Sequence, residues 1–440
     1  MEFLEKKMKK SHFPFILMLA LWPLQVFADA SPPAPHIDSG NTAWLLVSAA
    51  LVMLMTPGLA FFYAGMVNKK NVVSTLLQNY IALALVGLLW VVIGYSLVFS
   101  EGNGVIGGLG YLFLKGQVGT VYAAGNVPNM AYMAFQMMFA IITPALITGA
   151  FAERVRFKGW LFIMALWSLL VYVPVAHWVW GPKGWIAELG GIDFAGGLVV
   201  HITAGFSGLV AAILFGKRHN KSTHAKPYDV SMIMLGAALL WFGWFGFNAG
   251  SAITSGALAA HAFVLTFVGA ATSFVVWMLV DWMVTGKPSA VGAATGIVVG
   301  LVCITPAAGF VELDGAIIMC AIAGVVCNLA GRQIKKISHL DDALDVFTCH
   351  GIGAVIGSVL TGAYASKLVN DAVSVQGLFV SGETKTFMAN LIGVIAVSIY
   401  SMLATYIIIK IVNVFTPIKA TIEEQTSGLD STMHGEQAKD

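Results

Sequence analysis

Two stretches, DFAGGLVVH at residues 193–201 and DALDVFTCH at residues 342–350, decide the fold. Each places a histidine eight residues after an aspartate, inside an apolar segment. An ionisable side chain at bilayer depth is expensive, so it faces a bundle interior or a pathway. The repeated spacing predicts two equivalent helices of an inverted repeat, one carrying His201 and the other His350.

Composition assigns the surrounding chain to the membrane. Of the 440 residues, 58% are hydrophobic and 10% are charged, whereas soluble domains carry about a quarter charged residues. The net charge of +2 says nothing about nucleic acid, and we expect no nucleic-acid partner for a membrane protein. The four cysteines lie in apolar segments without zinc-ligand spacing, so we also expect no metal and no cofactor.

Hydropathy predicts an all-α integral membrane protein with eleven spans, at about 20 apolar residues per crossing. They lie near residues 43–67, 72–99, 130–152, 159–178, 196–216, 230–249, 258–282, 290–308, 314–331, 345–364 and 387–411. His201 falls on the fifth and His350 on the tenth, so we interpret the order as five plus five plus one.

Charge predicts the orientation. The basic residues on one side of this map are Lys69, Lys70, Arg154, Arg156, Lys158, Lys217, Arg218, Lys221, Lys226, Lys287, Arg332, Lys335, Lys336 and Lys410. The other side receives Lys115, Lys183, Lys367 and Lys385. The first side is therefore expected in the cytoplasm, with the mature N-terminus outside and the C-terminus inside.

The N-terminus is typical of a signal peptide. A basic start precedes an apolar core from Phe13 to Phe27, and Ala28-Asp29-Ala30 forms a small-x-small cleavage site. We predict a cleaved signal at 1–30, a membrane domain at 31–411 and a cytoplasmic regulatory tail at 412–440. An uncleaved additional helix is the alternative for residues 1–30.

The two histidines are expected to meet. Eight residues of helix span about 12 Å, so entry into a core of about 30 Å from opposite faces brings both imidazoles near the midplane. Such a pair can hydrogen-bond a small polar molecule or pass a proton. The alternatives are packing histidines that bond backbone carbonyls, and a bis-histidine metal or haem site.

Asp193 and an aromatic cluster add to this pattern. Asp193 is interpreted as an N-cap of the fifth span, as a carboxylate that favours a cation, or as both. The cluster WFGWFGFNAGS, residues 241–251, is either an interfacial belt or part of a cation-recognising mouth. Phe139, Trp180 and Ser251 lie at the same predicted membrane level.

Several motifs resemble the Amt branch of the ammonium transporter (Amt/Rh/methylammonium permease) family. They are the run from Asp193 to Arg218, GWFGFNAGS at 243–251, GKPS at 286–289, DVFTCHG at 345–351 and AER at 152–154. The resemblance covers about residues 42–435. It implies a homotrimer in the lipid bilayer whose subunits have eleven helices and one pore each.

The resemblance also implies roles for single residues. Trp180, Ser251 and Phe139 match the outer ammonium-recognition site, and Phe139 with Phe247 matches the phenyl gate beneath it. His201 and His350 match the twin histidines of the pore, and Asp193 matches the buried acid. These parts would recruit ammonium, remove its proton and conduct ammonia.

The tail carries further similarity. Glu423-Glu424, Gly428-Leu429-Asp430 and His434-Gly435-Glu436 resemble the bacterial tail that docks on the trimer and contributes to binding the PII nitrogen-signalling protein. Composition alone instead favours a disordered acidic tail.

The sequence therefore predicts an ammonium transporter of a bacterial inner membrane, and not an enzyme. Three rivals stay open: a sensor whose tail reports ammonium, a membrane metal or haem protein, and a Rh-type gas channel, which the residues at 180, 244 and 251 oppose. Whether a proton accompanies ammonia is left undecided.

Overall fold

The computed structural model describes residues 36–219, 227–337 and 339–438. The predicted signal peptide at 1–30, together with Lys221 and Lys226, lies outside the described residues. The described chain from residue 37 onwards clusters as one unit.

Eleven apolar helices form this unit, which is a multi-pass membrane protein. Ten helices of the described residues are long and apolar enough to cross a bilayer, and the eighth in order is shorter. They are α1 Ser39–Met66, α2 Lys69–Phe99, α3 Asn129–Phe151, α4 Phe157–Leu189, α5 Gly197–Phe215, α6 Val230–Gly250, α7 Ala257–Thr285, α8 Ala290–Ile304, α9 Leu313–Ile334, α10 Phe347–Tyr364 and α11 Lys385–Phe415. The predicted all-α fold and helix order are confirmed.

Several helix bounds differ from the prediction, most of all the end of α4, which is predicted at 178 and lies at Leu189. Two other differences have clear reasons. α8 was expected to reach 308 but ends at Ile304, because Pro306 has no N–H to continue the helix. α11 was expected to end at 411 but continues to Phe415, where the exposed Val414 and Phe415 prolong it beyond the packed core.

Short elements complete the fold. β1 Val121–Tyr122 and β2 Val127–Pro128 form an antiparallel hairpin. A 3₁₀ turn covers Leu112–Leu114, and a four-residue helix covers Leu378–Ser381. α12 (Ile422–Ser427) and a π-turn (Asp430–His434) form the tail.

The spanning helices contain π-helical turns. They lie at Trp90–Gly94 in α2, Ser168–Tyr172 in α4, Gly197–Ile202 in α5 and Phe347–Ile352 in α10. α4 is also interrupted at residues 181–184 before its last turn. Single π-turns inside α-helices concentrate at functional sites, and the two in α5 and α10 contain the histidines.

The helices alternate between two ends of the bundle. We name the end with residues 67–71 and 152–156 the tail face, and the end with residues 100–128 and 181–196 the opposite face. At the tail face, Asn68 N–H donates to Glu153 Oε1 at 2.6 Å. At the opposite face, Trp185 N–H donates to Gly104 O at 3.2 Å. α5 starts from the opposite face and α10 from the tail face, as the inverted five-plus-five repeat requires.

Buried charge holds the tail face together. Asp341 accepts Arg218 Nε at 3.0 Å and lies 3.5 Å from the fully buried Arg154 guanidinium. Burial opposes ionisation of Asp341, but hydrogen bonds and charge from Arg218, and the charge of Arg154, hold its pKa well below its ordinary value. Arg154 also donates to the carbonyls of Ala150 and Gly216, at the ends of α3 and α5.

The tail packs on this face instead of being disordered over the described residues. Arg156 donates to both carboxylate oxygens of Glu424, at 3.0 and 2.9 Å. Thr421 and Glu424 form a capping box that starts α12. Lys70 Nζ donates to the backbone carbonyl of Thr426, so this contact needs no charged side chain at 426.

Asp430 extends the packing to α2. Its carboxylate accepts the N–H groups of Val73 and Ser74 at 3.0 and 2.7 Å, where the α-helical part of α2 begins after its initial 3₁₀ turn. The neighbouring Leu429 is buried and donates its N–H to Asn71 Oδ1 at 2.9 Å. A residue far along the chain therefore supplies the N-terminal cap of the second span.

Candidate functional site

His201 lies in the π-turn that begins α5. The carboxylate of Asp193 accepts four backbone N–H groups there: Gly196 at 2.8, Gly197 at 2.7, Leu198 at 2.7 and Val199 at 3.2 Å. Gly196 has φ of 111°, a conformation that favours glycine, which explains the Gly-Gly pair in the sequence. Asp193 is thus a cap that sets where α5 starts.

His350 lies in the equivalent π-turn of α10. The carboxylate of Asp342 accepts the N–H groups of Val346 and Phe347 at 3.1 and 2.7 Å. Both histidines therefore follow a carboxylate-capped helix start, at the same spacing of eight residues. The cap on α10 has half as many donors as the cap on α5.

The structure brings the two histidines together. The distance between the Nδ1 atoms of His201 and His350 is 3.2 Å, and their ring centroids lie 5.3 Å apart. Both are almost fully buried. In a neutral pair one Nδ1 must donate and the other accept. His201 Nε2 has no hydrogen-bond partner in the described structure and is available to a small polar molecule.

The surroundings of the pair are apolar. Trp244 stacks on His201 with centroids 5.4 Å apart, and its Nε1 donates to Thr305 Oγ1 at 2.8 Å. The other residues lining this narrow cavity are Met55, Leu59, Ile142, Leu146, Val200, Leu240, Phe247 and Val298. An ion that enters would lose its hydration without compensation, whereas a neutral molecule can bond the imidazoles.

An open cleft of about 340 Å³ lies above this cavity, at the opposite face. Phe139, Trp180 and Ser251 all line it, so the three predicted recognition residues are neighbours. The rings of Trp180 and Phe139 pack edge to face, with their centroids 6.0 Å apart. Trp180 Nε1 donates to the carbonyl of Asp193 at 3.0 Å. Ser251 Oγ donates to the Phe247 carbonyl at 2.9 Å, which leaves its lone pairs for a ligand N–H.

Two stacked phenyl rings separate the cleft from the histidines. The centroids of Phe139 and Phe247 lie 4.1 Å apart, and both side chains are buried. Phe139 lines the cleft, while Phe247 lines the histidine cavity and lies 6.0 Å from His201. Passage between the two spaces requires that these rings move.

Gln136 also belongs to the cleft, although it was not predicted from the sequence. It lines the cleft one turn before Phe139, is nine-tenths buried, and donates Nε2 to the Tyr132 hydroxyl at 3.1 Å. Its Oε1 has no partner among the described residues and can accept an N–H from a bound molecule. A lone amide three residues before Phe139 in an apolar helix was the available signal.

Within the described ranges, no three histidine, cysteine, aspartate or glutamate side chains form a group that could hold a metal. The histidine pair instead has a third neighbour in Trp244 and an apolar lining.

The sequence matches a known protein family over most of its length. Residues 43–439 match the family model described as Ammonium Transporter Family. The ammonium transporter of Bacillus subtilis (strain 168) is 48% identical over 406 residues, covering 91% of this chain and 99% of that protein. Ammonium transporter Amt1 of Archaeoglobus fulgidus is 43% identical over 405 residues, covering 91% and 100%.

Solved structures agree with the sequence relatives. The crystal structure of Saccharomyces cerevisiae Mep2 superposes with a TM-score of 0.83 at 36% identity, covering 88% of each chain. A structure titled Sensor Amt Protein has a TM-score of 0.83 at 27% identity, covering 90% of this chain and 98% of that one.

Proposed function

The chain belongs to the ammonium transporter family, and from this premise we propose that it recruits ammonium in the cleft, removes a proton at the phenyl gate and conducts ammonia past His201 and His350. The single observation that carries the proposal is the buried contact between His201 and His350 beneath the stacked Phe139 and Phe247. Its relatives by sequence are transport proteins.

Recruitment follows from the chemistry of the cleft. Ammonium presents four N–H donors and a positive charge, while Ser251 Oγ and Gln136 Oε1 offer acceptors. The faces of Phe139 and Trp180 attract a cation through their ring quadrupoles. A cleft with aromatic faces and few acceptors therefore suits a compact cation that can lose part of its hydration.

Selection against potassium follows from the apolar cavity. A dry passage repels both ions, because neither recovers its hydration energy there. Ammonium alone can lose a proton and continue as a neutral molecule, which His201 Nε2 can hydrogen-bond. The released proton returns to the water of the cleft or follows through the Nδ1–Nδ1 contact, and a measured current distinguishes these routes.

Orientation and partners complete the proposal. The basic residues gather at the tail face, so we place this face in the cytoplasm of a bacterium, the cleft outside its inner membrane, and residues 1–30 in a cleaved signal. We place three subunits together, each with its own pore. The docked tail and the basic loops would receive a PII protein, whose threefold symmetry matches such a trimer.

Simultaneous recordings of current and ammonium uptake in liposomes test the transport path. His201→Ala and His350→Ala should each abolish the ammonium-dependent current and still assemble as trimers. His261→Ala is the matched control, because His261 Nε2 contacts the Val311 carbonyl at 2.9 Å, on α7 and away from the pair. Wild-type current in both pore variants would reject the relay.

A further inference from the structure

A second cavity, of about 380 Å³, lies at the tail face between α7, α8, α9 and the start of α10. We name it the tail-face pocket. Two carboxylates, Asp281 and Asp345, and two basic side chains, Arg332 and Lys335, line it. Thr348 lines it as well, and the buried hydroxyl of this residue has no hydrogen-bond partner among the described residues. The pocket is therefore polar, unlike the apolar cavity around the histidine pair.

The tail-face pocket continues the path that passes the histidine pair. On α8, Val291 and Thr295 line the pocket, and Val298, one turn further along, lines the histidine cavity. These positions recur every three or four residues and so share one face of the helix. On α10, Thr348 lines the pocket and His350 lines the cavity. Because only one helical turn, about 5 Å, separates the two spaces along α8, a molecule that leaves the histidines reaches this pocket next.

The chemistry of the transported molecule sets a requirement for this pocket. Ammonia, like the amine of a lysine side chain, is protonated in water at neutral pH. A bare carboxylate at the exit would hold the new cation by its charge and by charge-assisted hydrogen bonds. Conduction requires that each site binds its ligand weakly enough to release it. An exit suited to ammonium therefore needs carboxylates that are already occupied.

Both carboxylates of the pocket are occupied by cations of the protein itself. Lys335 Nζ lies 2.6 Å from Asp345 Oδ2. Arg332 Nη2 lies 2.5 Å from Asp281 Oδ1, which also accepts Asn328 Nδ2 at 2.8 Å. The two bases balance the two acids, so these four side chains give the pocket no net charge.

We infer that Lys335 is a tethered substitute for ammonium, which occupies the carboxylate of Asp345 and so keeps the exit from retaining the transported cation. This inference rests on the proposed function, because it requires ammonia to leave through the tail-face pocket. The ε-ammonium group of lysine has three N–H donors and one positive charge, the features by which ammonium itself would bind a carboxylate. Asp345 is the relevant acid, because its side chain is 22% exposed, whereas that of Asp281 is 6% exposed and held by two partners.

Ammonium flux through the full-length protein in liposomes tests this role. An antibody against the tail separates vesicles that display the tail face outside from vesicles that enclose it. In Lys335→Met the carboxylate of Asp345 loses its cation, so half-saturating ammonium at the tail face should fall by roughly twofold to fivefold, the effect of one partly exposed ion pair. The maximal rate from that face should fall by the same factor, because tighter binding of the ground state alone leaves their ratio unchanged. Half-saturation in Lys335→Met equal to or above the wild-type value would overturn the inference.

A double variant separates this role from a purely structural one. Lys335→Met/Asp345→Asn removes the carboxylate together with its cation, so half-saturation at the tail face should return to the wild-type value. The backbone accommodates the second change, because Asp345 has φ of 60° and Asn adopts this left-handed region as Asp does. If the ion pair only held α9 against α10, the double variant would be at least as impaired as Lys335→Met. A double variant that keeps the low half-saturation of Lys335→Met would refute the tethered cation.

Asp345→Asn alone should give a change of opposite sign, and it covers the case that Lys335→Met does not assemble. This variant leaves the charged group of Lys335 without its carboxylate. The unpaired cation should repel ammonium and raise half-saturation at the tail face. A fall in half-saturation, or no change, would contradict the inference.

Lys336→Met is the matched control. Lys336 carries the same charge at the next position, donates to Gln333 Oε1 at 3.1 Å and does not line the pocket, so its replacement should leave half-saturation unchanged. A fall equal to that of Lys335→Met would assign the effect to the general positive charge of the tail face and would overturn the role of the single contact. Absence of wild-type flux from either face would instead reject the proposed transport function, so the two failures are distinguishable.

Discussion

Replacement of Asp193 by Asn should loosen the start of α5 far more than the equivalent change loosens α10. Oδ1 of Asp193 accepts Gly196 and Gly197, and Oδ2 accepts Leu198 and Val199. The amide of Asn keeps one oxygen and turns an NH₂ group toward two N–H donors. Two of four charge-assisted bonds are lost, and a donor–donor conflict replaces them.

The size of the effect follows from these counts. Hydrogen bonds to a charged group contribute about 1.5–3 kcal/mol each, so Asp193→Asn should cost about 3–6 kcal/mol of local stability. Asp342 holds one N–H on each oxygen, Val346 and Phe347. Asp342→Asn should therefore cost about 1.5–3 kcal/mol at α10.

Amide hydrogen exchange of the purified protein measures both losses, because exchange reports the free energy of local opening. Exchange of residues 196–202 should accelerate by about 10² to 10⁴-fold in Asp193→Asn, and exchange of residues 346–352 by about 10 to 10²-fold in Asp342→Asn. Each variant is the control for the other. If residues 196–202 exchange at the wild-type rate in Asp193→Asn, the carboxylate is not the cap that we describe.

Three further predictions concern the gate, the tail and the buried charge cluster. Phe247→Ala should change the ammonium conductance or inactivate transport while trimers still form, because it opens the stacked pair with Phe139; wild-type rate and potassium exclusion would reject this gate. Deletion of residues 421–440 should weaken co-purification with the host's PII protein and relieve its inhibition of uptake, whereas unchanged binding would leave the cytoplasmic loops as the contact. The pKa of Asp341 is lowered in the folded protein. The stability that its ionised carboxylate contributes is therefore present above the ordinary pKa of 3.8 and is lost as the pH falls through the lowered pKa. The cluster around Asp341 should accordingly stay protected in hydrogen exchange from pH 7 down to 3.8. Asp341→Asn should expose the cluster already at pH 7, and protection equal to wild type would contradict the assigned ion pairs.

Sequence predicted the helix order because bilayer thickness dictates the length of each apolar segment. It also predicted the meeting of His201 and His350, since equal spacing from opposite ends leads to equal depth. Hydropathy cannot distinguish an α-turn from a π-turn, so the π-turns of α5 and α10 were not foreseen. Likewise, no periodicity specifies that the two Nδ1 atoms face each other at 3.2 Å.

Long-range polar contacts were the least predictable. Composition favours a disordered tail, because the tail has few apolar residues to bury. In the structure, Asp430 accepts two backbone N–H groups of α2, and Glu424 accepts a hydrogen bond from Arg156. Such a contact depends on the position of elements more than 260 residues apart.

The paired π-turns of α5 and α10 have a consequence for the direction in which the two histidines point. A π-turn accommodates one residue more than an α-turn, and it disrupts the regular helical bonding. Both halves carry one at the start of the histidine helix, at Gly197–Ile202 and Phe347–Ile352. Each turn therefore places its histidine one residue out of the α-helical register, and the two shifts are equivalent because the two helices are equivalent in the inverted repeat.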